Sequence, residues 1–255
     1  MSSPLHVPET SLVSHFATVD ATLDAIVDHA ARAKLVADWD IIPLVAGLVG
    51  EGCETTPRNR GPDVMVAPML HLERGLWAWL GYREEWSGEP PAGRVRRFSF
   101  RSAGLTVHFG YRNVRYKPQM FRAEWAGWAR WDGTGYSYQA GDAAHPHWQF
   151  DALESLKRDD AAERAATFLS VLKSEEDEEE TPRDFSPRGL SRSDVGDVIG
   201  VQELSRIHFA SAAAWWKGAP NDVHAHAPST VNDVQVWLRE TLAYIVRELS
   251  RLQRI

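Results

Sequence analysis

A single cysteine, Cys53, stands in the 255 residues. That excludes an intrachain disulfide and any zinc site built from several cysteines of one chain. No apolar run approaches the ~20 residues that span a bilayer. Residues 1–10 are polar and proline-containing, without the basic start and apolar core of a secretory signal. A soluble protein of a reducing cytoplasm, with no membrane association, is expected. Three signatures are missing as well: the Gly-X-X-X-X-Gly-Lys-Ser/Thr phosphate loop, a Gly-X-Gly-X-X-Gly after a strand, and Gly-X-Ser-X-Gly. A nucleotide cofactor and an α/β-hydrolase serine are therefore not indicated. Positive charge is the scarcer sign, 28 Lys/Arg against 35 Asp/Glu, for a net charge of −7.

That scarce charge is concentrated. Residues 94–130 hold nine Lys/Arg and one acid, Glu124, a local charge of +8 that leaves −15 on the other 218 residues. Phe98, Phe100, Phe109, Tyr111, Tyr116, Phe121, Trp125 and Trp128 lie in the same stretch, which leads into His145-Pro-His147-Trp148-Gln149. Cations, rings and paired imidazoles so close together point to an anionic, phosphate-bearing ligand or a nucleic acid. Eleven tryptophans are more than a chain of this size needs, and most are expected in packing.

Patterning gives an α+β chain: a central, mostly antiparallel sheet over about 64–150, flanked by N-terminal and C-terminal helices in one domain of 1–255. Residues 1–62 read as the helical N-terminal part. In 11–49 Leu12, Phe16, Val19, Leu23, Ile26 and Val27 recur at spacings of three and four, and 41–46 reads as a second, buried helix. The sheet occupies 63–150. Residues 95–100 and 105–111 alternate as strands on either side of Gly104, 86–93 reads as a loop, and Pro118 precedes a strand over 119–130. Asp132-Gly133 is a hairpin turn before a returning strand at 135–139. Residues 145–150 alternate again, with His145, His147 and Gln149 on one face. Residues 151–255 read as helical, interrupted by an acidic linker at 174–190. One helix covers 151–173, one follows Gly200 through Trp216, and the last begins at Thr230 with Asp233 completing its capping box. Its stripe is Val234, Trp237, Leu238, Thr241, Ile245, Leu249 and Leu252.

Arg97, Arg101, Arg112, Arg115 and Arg122 are the candidate ligand-binding groups, because a planar guanidinium donates two parallel hydrogen bonds to phosphate. The same cations are also suited to pair with acids on covering helices. His145, His147, Gln149 and Glu124 are the candidate catalytic set. Two imidazoles at i and i+2 of an extended segment point the same way. His145, His147, His224 and His226 could thus hold a divalent transition metal, with Glu124, Asp142, Asp151 or His108 completing the site and bound water brought to a pKa of about 7.

His145-Pro-His147-Trp148-Gln149-Phe150 resembles the His-Pro-His-X-Gln-φ core of the nucleotidyl-transferring branch of the histidine-triad superfamily, the galactose-1-phosphate uridylyltransferase type. The resemblance covers six residues. It implies His147 as the nucleophile at an α-phosphate and Gln149 as support for the phosphate oxygens. Position 148 is Trp where that type has Gly, and its zinc-binding cysteines are absent here. The leading expectation is a hydrolase or a nucleotidyl or phosphoryl transferase. The alternatives are a non-catalytic subunit, docking through aromatic surface and the C-terminal helix, and a nucleic-acid-binding module.

Overall fold

Alternation through the middle of the chain builds two long antiparallel strands that organise the rest. The computed structural model describes residues 5–40, 43–59, 62–88, 95–126, 147–150, 209–210 and 228–252. One ten-stranded sheet contains β1 (His6–Pro8), β2 (Lys34–Asp38), β3 (Leu44–Val49), β4 (Glu54–Thr56), β5 (Val64–His71), β6 (Leu76–Gly88), β7 (Arg97–Tyr111), β8 (Gln119–Ala126), β9 (His147–Phe150) and β10 (Phe209–Ala210). The α-helices among the described residues are α1 (Glu9–Asp24) and α2 (Val231–Leu252). β6 and β7 pair from Leu76↔Tyr111 to Gly88↔Phe98. Each carries two shorter strands: β3 and β5 on β6, and β8 and β1 on β7. Every pairing is antiparallel, and the architecture is sheet-rich α+β.

One face is apolar. Leu80, Tyr82 and Trp86 of β6, Phe100, Ala103, Leu105 and Val107 of β7, and Phe121, Ala123 and Trp125 of β8 are buried there. α1 closes part of it with Leu12, Phe16, Val19 and Leu23, spaced for one helical face. α2 closes the rest with Val234, Trp237, Leu238, Leu242, Ile245 and Leu249. Trp237 packs 6.1 Å from Trp125 between ring centroids, and Tyr244 stacks on Trp148 at 4.9 Å. The expected capping box forms: Asp233 N–H donates to Thr230 Oγ1 (3.2 Å) and Thr230 N–H to Asp233 Oδ2 (2.8 Å). Each large apolar side chain removed from water contributes ~1.5–3 kcal/mol.

A carboxyl group lies inside this apolar layer. Glu84 is wholly buried, as are His15 and Trp86. Trp86 Nε1 donates to Glu84 Oε2 at 2.9 Å, His15 Nε2 lies 2.9 and 3.1 Å from the two oxygens, and the Tyr82 hydroxyl donates to Oε1. Gln235 of α2 reaches His15 Nδ1 at 3.2 Å, so the network ties both helices to β6. Burial, then the charge and hydrogen bond of Glu84, raise the Tyr82 pKa well above its ordinary value.

Several expectations change. α1 ends at Asp24, and residues expected to be helical through 49 instead supply β2 and β3, with β4 following inside the part read as helical. β3 is apolar on both faces, so a short run such as Leu44–Val49 has no period to separate strand from helix. β6 continues to Gly88 through the segment read as a loop, and β7 passes through Gly104 without a break. Phe209–Ala210, inside the expected helix after Gly200, forms a strand against Trp148 and His147. The turn at 132–133, the strand at 135–139, the helix at 151–173 and the linker at 174–190 lie outside the described residues.

Candidate functional site

Where β6 and β8 present Arg83, Glu85, Arg122 and Glu124, the second face of the sheet is polar, because these positions alternate with the apolar layer. Register sets two rows across it. Arg83, Gly104, Glu124 and His147 are successive partners in one row, and Gly81, Thr106, Arg122 and Gln149 in the next. Arg83 grips Glu85 through Nε (3.1 Å) and Nη2 (2.9 Å), both on Oε1. Arg122 Nη1 lies 3.5 Å from Glu124 Oε1, and its Nη2 donates to Gln149 Oε1. Gln149 is wholly buried and Arg122 nearly so.

Arg58 approaches from the connection between β4 and β5, which is braced by its Nε donating to Pro62 O at 2.9 Å. Burial lowers its pKa most. The charges of Arg83 and Arg122 lower it further, while Glu124 and Glu85 oppose them. The charges of two further guanidiniums and two carboxylates of this face therefore act on Arg58.

Beside them the face is closed. His108 is wholly buried, its Nδ1–H donating to Lys117 O at 2.9 Å. Nε2 is then a lone-pair acceptor, and it has no hydrogen-bond partner. Burial pushes the His108 pKa down to about 4, so the ring is neutral near pH 7. Lys117 Nζ bonds Glu54 Oε2 (2.6 Å) and Val114 O (2.5 Å) and sits 4.3 Å from the centroid of the Trp79 ring. Gly110 permits this: a Cβ there would come within 2.7 Å of Lys117 Cγ.

Of the residues expected from sequence, Arg122, Glu124 and Gln149 come together, and His147 is the register partner of Glu124. The other arginines lie apart. Arg97 pairs with Pro8 at the far end of β7, roughly 30 Å along the strand from the register partner of Arg122. Arg101 is the extra residue of a bulge, since Ser102 and Phe100 face Glu85 and Trp86, and it donates to Ser87 Oγ at 3.4 Å. Arg112 binds Asp28 Oδ2 (2.7 Å) above the Trp77 ring, and Arg115 lies 3.5 Å from Asp63 Oδ2. His145, His224 and His226 lie outside the described residues. Among the described residues no group of three His, Cys, Asp or Glu could hold a metal ion.

The aromatic-interface expectation meets a specific arrangement. Trp79, Trp86, Trp125, Trp148 and Trp237 are core, and the apolar stripe of α2 faces the sheet. Among the described residues no helix is long and apolar enough to cross a membrane. Sequence reading did not single out Arg58, Arg83 or Glu85. The available signal was the period of two through Tyr82, Glu84 and Trp86, hidden because Glu84 puts a charged residue on the apolar side. A comparison with family models, curated proteins and solved structures finds no match to this chain.

Proposed function

We propose that the protein is an enzyme acting on a phosphodiester or nucleotide, with the reacting phosphate on the polar face of the sheet. The observation that carries this reading is the register of β8 and β9, which sets Arg122 against Gln149 and Glu124 against His147. Arg122, held by Gln149, and Arg83 and Arg58 supply guanidiniums for phosphate oxygens. Glu124 is the carboxylate at the register position opposite His147. A neutral imidazole at 147 would serve as nucleophile or general base, splitting a displacement at phosphorus into easier steps.

An open nucleic-acid stripe is the weaker reading. Arg112, Arg115 and Lys117 are engaged with Asp28, Asp63 and Glu54.

The test is turnover of a panel of nucleotides and chromogenic phosphodiesters by wild type, His147→Ala and Arg83→Ala. Loss of turnover in His147→Ala with an unchanged thermal transition, and weaker ligand binding in Arg83→Ala that fades as salt is raised, are expected. Full activity in His147→Ala would remove this residue from the mechanism and the proposal with it.

A further inference from the structure

We infer that Glu85 and Glu124 make this site selective for a singly charged phosphodiester over a doubly charged phosphomonoester. This rests on the phosphate-binding reading above and assigns the acids of the same face a role in specificity. Arg83 and Glu124 are both register partners of Gly104, which puts no side chain between them. Glu85 is held on Arg83 at 2.9 Å and Glu124 lies 3.5 Å from Arg122, so each carboxylate sits against a guanidinium that a phosphate would use. Their side chains are 28% and 31% exposed, too covered for solvent to screen them fully. The charges of Glu85 and Glu124 also reach Arg58.

A ligand on Arg83, Arg122 and Arg58 therefore lies beside two fixed negative charges. A phosphodiester spreads one charge over its two non-bridging oxygens and turns neutral ester oxygens elsewhere. A phosphomonoester, whose second ionisation falls near pH 6, brings a further charge that both carboxylates repel, which offsets the added attraction of the three guanidiniums. Neutralising either acid should relieve that repulsion for the monoester more than for the diester.

The probes are methyl 4-nitrophenyl phosphate and 4-nitrophenyl phosphate, which share one ring and differ by one charge at about pH 8. Calorimetric titration of wild type, Glu85→Gln and Glu124→Gln measures both affinities in each. Wild type should prefer the diester. Each variant should shift the diester-to-monoester ratio toward the monoester by at least about fivefold, the effect of one unit charge about 4 Å away in bulk water and a lower bound near a protein surface. Equal or tighter binding of the monoester by wild type would overturn the selectivity and leave phosphate binding standing. A ratio unmoved in both variants would remove the acids as its cause. Binding of neither ester would overturn the selectivity together with the phosphate-site reading.

Discussion

Replacing Glu84 with Gln tests the account of the core at its least ordinary point. The substitution keeps shape and volume but exchanges one acceptor oxygen for an NH2 group. Three groups converge on the carboxylate: Trp86 Nε1, His15 Nε2 and the Tyr82 hydroxyl. Indole N–H can only donate, and the imidazole hydrogen on Nε2 is fixed if Nδ1 accepts from Gln235 (3.2 Å). The amide nitrogen must then face Tyr82, whose hydroxyl can turn to accept. Bonds to a charged group, worth ~1.5–3 kcal/mol each, become neutral ones near 1, and one donor is left poorly matched. The expected loss is about 2 kcal/mol, a fall in Tm of about 6 °C for a chain of this size. Glu84→Ala, which strands all three donors, should cost about 4 kcal/mol. Urea and thermal unfolding of the three proteins measure both values. Adding Trp86→Phe removes the donor that cannot turn, and the double variant should lose less than the sum of the single ones. Glu84→Gln within about 0.5 kcal/mol of wild type, the range of ordinary surface substitutions, would refute the hydrogen-bond accounting.

Two other expectations follow from groups that burial, whole or partial, perturbs. His108 titrates near its ordinary 6.5 when unfolded and at about 4 when folded. The stability it contributes is therefore complete above about pH 6.5 and is lost as pH falls toward 4, about 3 kcal/mol in all. His108→Gln should flatten that acid limb in urea unfolding, and an unchanged slope would assign the limb to other groups. Burial pushes the Cys53 thiol up to about 11, so iodoacetamide at about pH 8 should label the folded chain far more slowly than the urea-unfolded one. Equal rates would show that this thiol is not held as described.

The parts legible in the sequence are those where one physical signal acts alone. α2 announces itself by the Thr230–Asp233 box and a stripe that the fold buries, and β8 starts directly after Pro118. α1 is visible in its periodicity, but its end is not, because residues 25–38 contain neither proline nor glycine to mark the exchange of helix for strand. Arginines can be counted in a sequence and their partners cannot. Arg112 meets Asp28 across 84 positions, and Lys117 meets Glu54 across 63. The site was half visible for the same reason. Glu124, Arg122 and Gln149 lie in the basic aromatic stretch or the histidine motif, whereas Arg58 and Arg83 reach that face only through pairings the sequence does not record.

The order in which the sheet and its cover leave the ribosome has a consequence of its own. The apolar side of β6 to β9 is complete in sequence at Phe150, yet 80 residues separate it from α2, which seals Trp125 and Trp148 and begins at Val231. At ~5–20 residues per second that is an interval of about 4–16 s during synthesis. Throughout it, the tryptophan side of the nascent sheet lacks the helix that finally covers it. A nascent chain of this design has reason to meet a holding chaperone before α2 emerges to cover it.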